Sequence, residues 1–104
     1  MDERMTVESA MQAVADSDDR YGILLQQDGI EVGFYAPRGT DPQTPHDRDE
    51  VYVIQAGSGI FVLGDDEQPF ETGDVLFVPA GMPHRFKDFG GDFAAWVVFT
   101  GKTA

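Results

Sequence analysis

Gly73-Asp74-Val75-Leu76-Phe77-Val78-Pro79-Ala80-Gly81-Met82-Pro83-His84-Arg85-Phe86 is the stretch whose reading decides the fold. Val75–Val78 is a short apolar run rich in strand-forming residues. It lies between two turns, Thr72-Gly73-Asp74 and Pro79-Ala80-Gly81, so it reads as a strand. The second turn presents His84 at the head of a further strand, 83–87, with Phe86 continuing its face. Upstream, Thr44-Pro45-His46-Asp47-Arg48-Asp49-Glu50-Val51-Tyr52-Val53-Ile54-Gln55-Ala56-Gly57 runs into a strongly β segment over 51–55. His46 and Glu50 share strand parity, so extended backbone points both to one face, followed on that face by Tyr52 and Ile54. The chain has two histidines, and both fall in these two stretches.

Outward from this centre the pattern repeats. Strands are expected at 21–27, 30–36, 60–63, 68–71 and 93–100, separated by Asp28-Gly29, Gly57-Ser58-Gly59 and Gly64-Asp65-Asp66. Residues 37–45 form a loop with three prolines. Helical spacing occurs once, over 6–16. Thr6 suits the N-cap, Glu8 sits where the helix dipole favours negative charge, and Val7, Ala10, Met11 and Val14 share a face. The expected architecture is all-β: an antiparallel barrel over 21–104 preceded by a short helix and lead-in over 1–20.

Composition narrows the function. The 104 residues suit a single core. A formal charge of −12 repels phosphate backbones and anionic lipids, so neither nucleic acid nor membrane is an expected partner. That acidity fits either simple solubility or adaptation to high salt. The chain has no cysteine, which removes disulfides and thiolate chemistry. The acidic start, which has no apolar block, does not resemble a signal or transit peptide, and a cytoplasmic location is expected.

The two central stretches resemble the paired motifs of the cupin superfamily. Gly73, Pro79, Gly81 and His84 match the second motif in order and spacing, with Asp88 in place of its terminal asparagine. His46, Glu50 and Gly57 match the end of the first. The similarity covers roughly residues 37–100. It implies the double-stranded β-helix, or jelly-roll, barrel, and one divalent transition metal (Fe, Mn, Ni, Co or Zn) held by His46, Glu50 and His84. It also implies a homodimer, for which strands 21–27 and 30–36 could complete a neighbour's sheet. The chain departs from the family at Thr44, where members usually carry a further histidine, and the leading glycine, if Gly39, is one residue too close. If residues 44–46 are extended, Thr44 shares the face of His46 and could hold a water.

Two imidazoles and a carboxylate suit such a metal and leave positions open for water or substrate. Tyr52 is expected to aim its hydroxyl into the lumen. Ile54 and Phe86 line the lumen as packing, Trp96 is more a core residue than a platform, and Tyr35 and Arg38 precede the metal loop where an anion could be met. Asp47 and Asp49 have the wrong parity for ligation and are expected to be solvated or paired with Arg48. No general base stands out beyond the ligands. Two functions follow: a dioxygenase- or isomerase-type metalloenzyme acting on a small oxygen-rich or anionic molecule, or a non-catalytic binding or sensing barrel that works even without metal.

Overall fold

The computed structural model describes residues 4–101. One helix, α1 (Val7–Ala15), precedes eight strands: β1 (Tyr21–Gln27), β2 (Ile30–Tyr35), β3 (Asp49–Ala56), β4 (Gly59–Leu63), β5 (Asp66–Phe70), β6 (Val75–Val78), β7 (His84–Lys87) and β8 (Ala94–Thr100). They pair antiparallel into a five-stranded sheet, β1-β2-β8-β3-β6, and a three-stranded sheet, β5-β4-β7. Pro69 lies in β5, an edge strand, where its missing N–H breaks no ladder. No helix among the described residues is long and apolar enough to cross a membrane.

Strand parity builds the lumen. Tyr52, Ile54, Val97 and Phe99 face inward from the larger sheet, and Phe61, Phe70 and Phe86 face them from the smaller. Phe86 is 1% exposed, with the rings of Tyr52, Phe61, Phe70 and Phe93 centred 4.7–5.2 Å away. Rings that meet edge-on or tilted in this way are each worth about 0.5–1.5 kcal/mol beyond their buried area. The aromatic plug closes one end of the barrel and leaves the other end, around His46 and Glu50, open as a cavity.

A second apolar cluster lies on the outer face of the larger sheet, where Ala10 and Val14 of α1 pack with Phe34, Ala36 and Ala94. Gly22 permits this contact: a Cβ there would come within 2.5 Å of the Ala13 Cβ. Thr6 caps the helix in a reciprocal box with Ser9. Val7 and Met11 share the helical stripe but stay 41% and 37% exposed, because a nine-residue helix seated on two small side chains buries only a narrow line. β1 and β2 extend the chain's own sheet, with β2 paired to β8, and β1 is left as the edge.

Candidate metal centre

Backbone contacts bring the two histidine segments together. The turn after β6 needs a residue with φ of +80° at Gly81, and the Gly81 N–H donates to the His46 carbonyl at 2.6 Å. One residue earlier, the Ala80 N–H donates to Asp49 Oδ1 at 2.9 Å. Asp49 is thus used outside the barrel, as its parity requires. Arg48, of the opposite parity, turns inward.

His46, Glu50 and His84 each offer a ligand atom, and these atoms lie within 4.8 Å of one another. Glu50 Oε1 is 3.1 Å from His84 Nε2 and 3.9 Å from His46 Nε2. Glu50 is 1% exposed, yet Oε1 has no hydrogen-bond partner. A buried carboxylate oxygen left in that state is costly, and a cation between it and the two imidazoles removes the cost.

The protonation of His84 sharpens this point. His84 Nδ1 lies 2.9 Å from the Met82 carbonyl, which can only accept, so Nδ1 carries the proton. In the neutral ring Nε2 is then a lone pair facing Glu50. Burial pulls the imidazole pKa down, but the Glu50 carboxylate and the Met82 carbonyl outweigh it, and the group titrates above the ordinary 6.5. Either a second proton or a metal ion satisfies Nε2, and metal-binding histidines commonly have their other ring nitrogen tied in this way.

Sequence reasoning missed Gln43. Its Oε1 lies 3.2 Å from His46 Nε2 and 3.1 Å from His84 Nε2, and it accepts from the Tyr52 hydroxyl at 3.0 Å. Its Nε2 donates to Asp41 Oδ2 at 2.6 Å. Asp41, 9% exposed, also accepts from the Tyr35 hydroxyl at 2.5 Å and the Phe86 N–H at 2.8 Å. Thr44 lines the cavity too, but it is exposed in an irregular segment rather than held in a strand, and the side chain that reaches the histidines is its neighbour's.

The cavity has a volume of about 400 Å³ and is lined by Tyr21, Glu31, Tyr35, Arg48 and Tyr52 among others. Arg48 lies 4.5 Å over the Phe99 ring and 3.4 Å from Glu31, so its partner is Glu31 and not the flanking aspartates. Glu31 also accepts from the Tyr21 hydroxyl at 2.8 Å and from Gln26 at 3.0 Å. Gly33 leaves room for this wall, since a Cβ there would strike the Tyr21 ring at 2.4–2.5 Å. Burial is the main reason that the Tyr21, Tyr35 and Tyr52 phenols are all pushed up, so they stay protonated.

Three candidate pocket residues lie elsewhere, Phe86 and Trp96 in the packing role the sequence favoured for them. Arg38 is exposed on the loop and does not line the cavity. Trp96 faces outward, edge-on to Phe34 at 4.7 Å, with Nε1 donating to Gln55 at 3.2 Å; strand alternation puts it on the helix side, opposite Ala95 and Val97. Phe86 lies in the aromatic plug beneath the site and not in the cavity wall.

Comparison with known proteins agrees with this geometry. A family model for the cupin domain matches residues 32–100. An uncharacterised protein of Streptomyces coelicolor is 35% identical over 88 residues, spanning 83% of this chain and 84% of that protein. The acireductone dioxygenase of Geobacillus thermodenitrificans is 49% identical over 47 residues, a match covering 39% of this chain and 26% of that protein. An uncharacterised conserved Klebsiella pneumoniae protein with a double-stranded β-helix domain has a TM-score of 0.79 at 13% identity, covering 100% of this chain and 95% of that one, a likeness of fold. The chain belongs to the cupin family.

Proposed function

We propose that this cupin holds one divalent transition metal through His46, Glu50 and His84 and binds a small oxygen-rich or anionic molecule in the adjoining cavity, as a dioxygenase- or isomerase-type metalloenzyme. The observation that carries the reading is the buried Glu50 Oε1, without a hydrogen-bond partner and flanked by two imidazole nitrogens. Two nitrogens and a carboxylate oxygen suit iron, manganese, cobalt, nickel or zinc, and such an ion supplies Lewis acidity or, if iron, activation of O₂. One carboxylate does not neutralise a divalent ion, and Arg48 is already matched by Glu31, so the site favours a ligand that brings negative oxygen. The Tyr52 and Tyr21 hydroxyls line the same cavity, already donating to Gln43 and Glu31, so a ligand that accepts from them must displace those partners. The partial match to acireductone dioxygenase supports a metalloenzyme of this general kind.

A second reading rests on Gln43. Its amide oxygen sits between both imidazoles and the Tyr52 hydroxyl, which would also close a metal-free binding barrel. Purification without chelator, metal analysis by mass spectrometry, and O₂ uptake with catechols, thiols and diketones separate the two. Stoichiometric redox metal with turnover is the expected result. Metal-free protein that refuses added metal and still binds a small molecule would establish the second reading instead.

A further inference from the structure

We infer that Gln43 is a fourth protein ligand of this metal, its amide oxygen filling the position left by the absent first-motif histidine, with Asp41 and Tyr35 as the residues that position it. The inference rests on the metal reading above and on the distances between donor atoms. Ligands of one first-row ion, each about 2.1 Å from it, stand about 3.0 Å apart when adjacent in an octahedron, about 3.4 Å in a tetrahedron and about 4.2 Å when opposite. Gln43 Oε1 is 3.2 Å from His46 Nε2 and 3.1 Å from His84 Nε2, while Glu50 Oε1 is 3.1 Å and 3.9 Å from His84 and His46. All four separations fall within the range that one coordination shell allows.

Hydrogen-bond accounting then fixes which end of the amide faces inward. Asp41 accepts from the Tyr35 hydroxyl, the Phe86 N–H and the Gln43 N–H, so its carboxylate can take an NH₂ group and not a carbonyl. Turning the amide over would set oxygen against carboxylate. The oxygen therefore points at His84 Nε2, whose lone pair already faces Glu50. Three acceptors directed at one another mark a place for a cation. Asp41 is itself anchored by β7 through the Phe86 N–H and by the end of β2 through Tyr35, so an otherwise irregular loop delivers a ligand atom from a rigid support. An amide oxygen in place of imidazole makes the set two nitrogens and two oxygens, harder than three nitrogens and one oxygen. That moves preference toward manganese or iron and away from nickel or copper.

The test is Co(II) affinity by chelator competition, with the visible spectrum of the bound cobalt as a readout of ligand number, on the full chain and six variants. Gln43→Leu, near in volume but without a donor, is expected to weaken binding roughly a hundredfold and change the spectrum. Asp41→Asn is expected to weaken it about tenfold by freeing the amide to turn, and Gln43→Glu, which keeps an oxygen for the metal but sets its other oxygen against Asp41, to bind more tightly than Gln43→Leu. His84→Ala and His46→Ala report on the metal centre itself. If both histidine variants lose cobalt while Gln43→Leu binds as well as the wild type or better, the centre stands and Gln43 is a stopper, which overturns the inference. If the wild type takes up no cobalt, the metal reading fails and the inference fails with it. Circular dichroism of each variant separates ligand loss from unfolding, and Gln43→Ala, which also lacks the donor, decides the matter if Gln43→Leu does not fold.

Discussion

Replacing Glu50 by glutamine should make the metal-free protein more stable and the metal-loaded protein less so. The wild-type carboxylate is 1% exposed and one of its oxygens accepts nothing. An unsatisfied buried polar group costs about 1–3 kcal/mol, and more when charged. In Glu50→Gln the amide N–H can donate to the lone pair of His84 Nε2, 3.1 Å from the present oxygen. The expected gain is about 1–3 kcal/mol in chelator, at about pH 9, above the range in which imidazoles ordinarily titrate. For a domain of this size that raises Tm by roughly 5–20 °C, at about 4–8 °C per kcal/mol. Metal reverses the order. A ligand at a hundred times its Kd stabilises by about 2.7 kcal/mol, so the wild type should gain roughly 10–20 °C on adding the ion and the variant almost nothing. Thermal melts of both proteins with chelator and with Mn(II), Fe(II) anaerobically or Co(II) give the four values. A variant less stable in chelator by more than about 1 kcal/mol, which keeps the metal-induced rise, would refute the reasoning, because Glu50 would then be a satisfied structural carboxylate.

Three further outcomes are expected. The His84 pKa lies above 6.5 in the folded protein, so in the metal-free state its contribution to stability is fully present below 6.5 and fades as pH rises through the folded value; denaturant midpoints across that range should fall for the wild type and stay flat in this window for His84→Ala. Phe86→Ala empties the centre of the aromatic plug and should cost about 3–5 kcal/mol, read as a lower midpoint in urea melts, whereas Trp96→Phe, outside the lumen, should leave metal affinity unchanged. Val75 and Phe77 are 65% and 55% exposed on edge strand β6, so if the chain is a homodimer this face is where it pairs; sedimentation should give twice the 11.4 kDa mass, and Phe77→Lys should return the monomer.

The strands, their turns and the grouping of the three candidate ligands were legible because each rests on local rules. A period of two decides which side chains share a face, so parity alone groups Glu50, Tyr52 and Ile54, and all three are buried together. The spacing of Gly73, Pro79, Gly81 and His84 encodes one turn and one strand start. Parity does not say which face is the lumen, and that left Trp96 and Arg48 ambiguous. Trp96 shares its strand with lumen residues but has the other parity, and Arg48 has the parity of Glu50 but looked like part of a solvated charge run.

What the sequence by itself determined is therefore periodic or motif-bound: an antiparallel all-β barrel, a short capped helix, and two histidines with a glutamate on facing segments. Tertiary structure alone decided the rest of the site. Residues 36–48 have no regular backbone, so no period dictates where Asp41, Gln43 or Thr44 points. Their directions come from partners outside the loop's own backbone: Asp41 from the Phe86 N–H 45 residues away, Gln43 from Asp41 so anchored and from the Tyr52 hydroxyl. In a strand the neighbours on either side fix a side chain's direction. In a loop it is fixed by whichever distant groups satisfy its hydrogen bonds, and those are set only once the chain has folded.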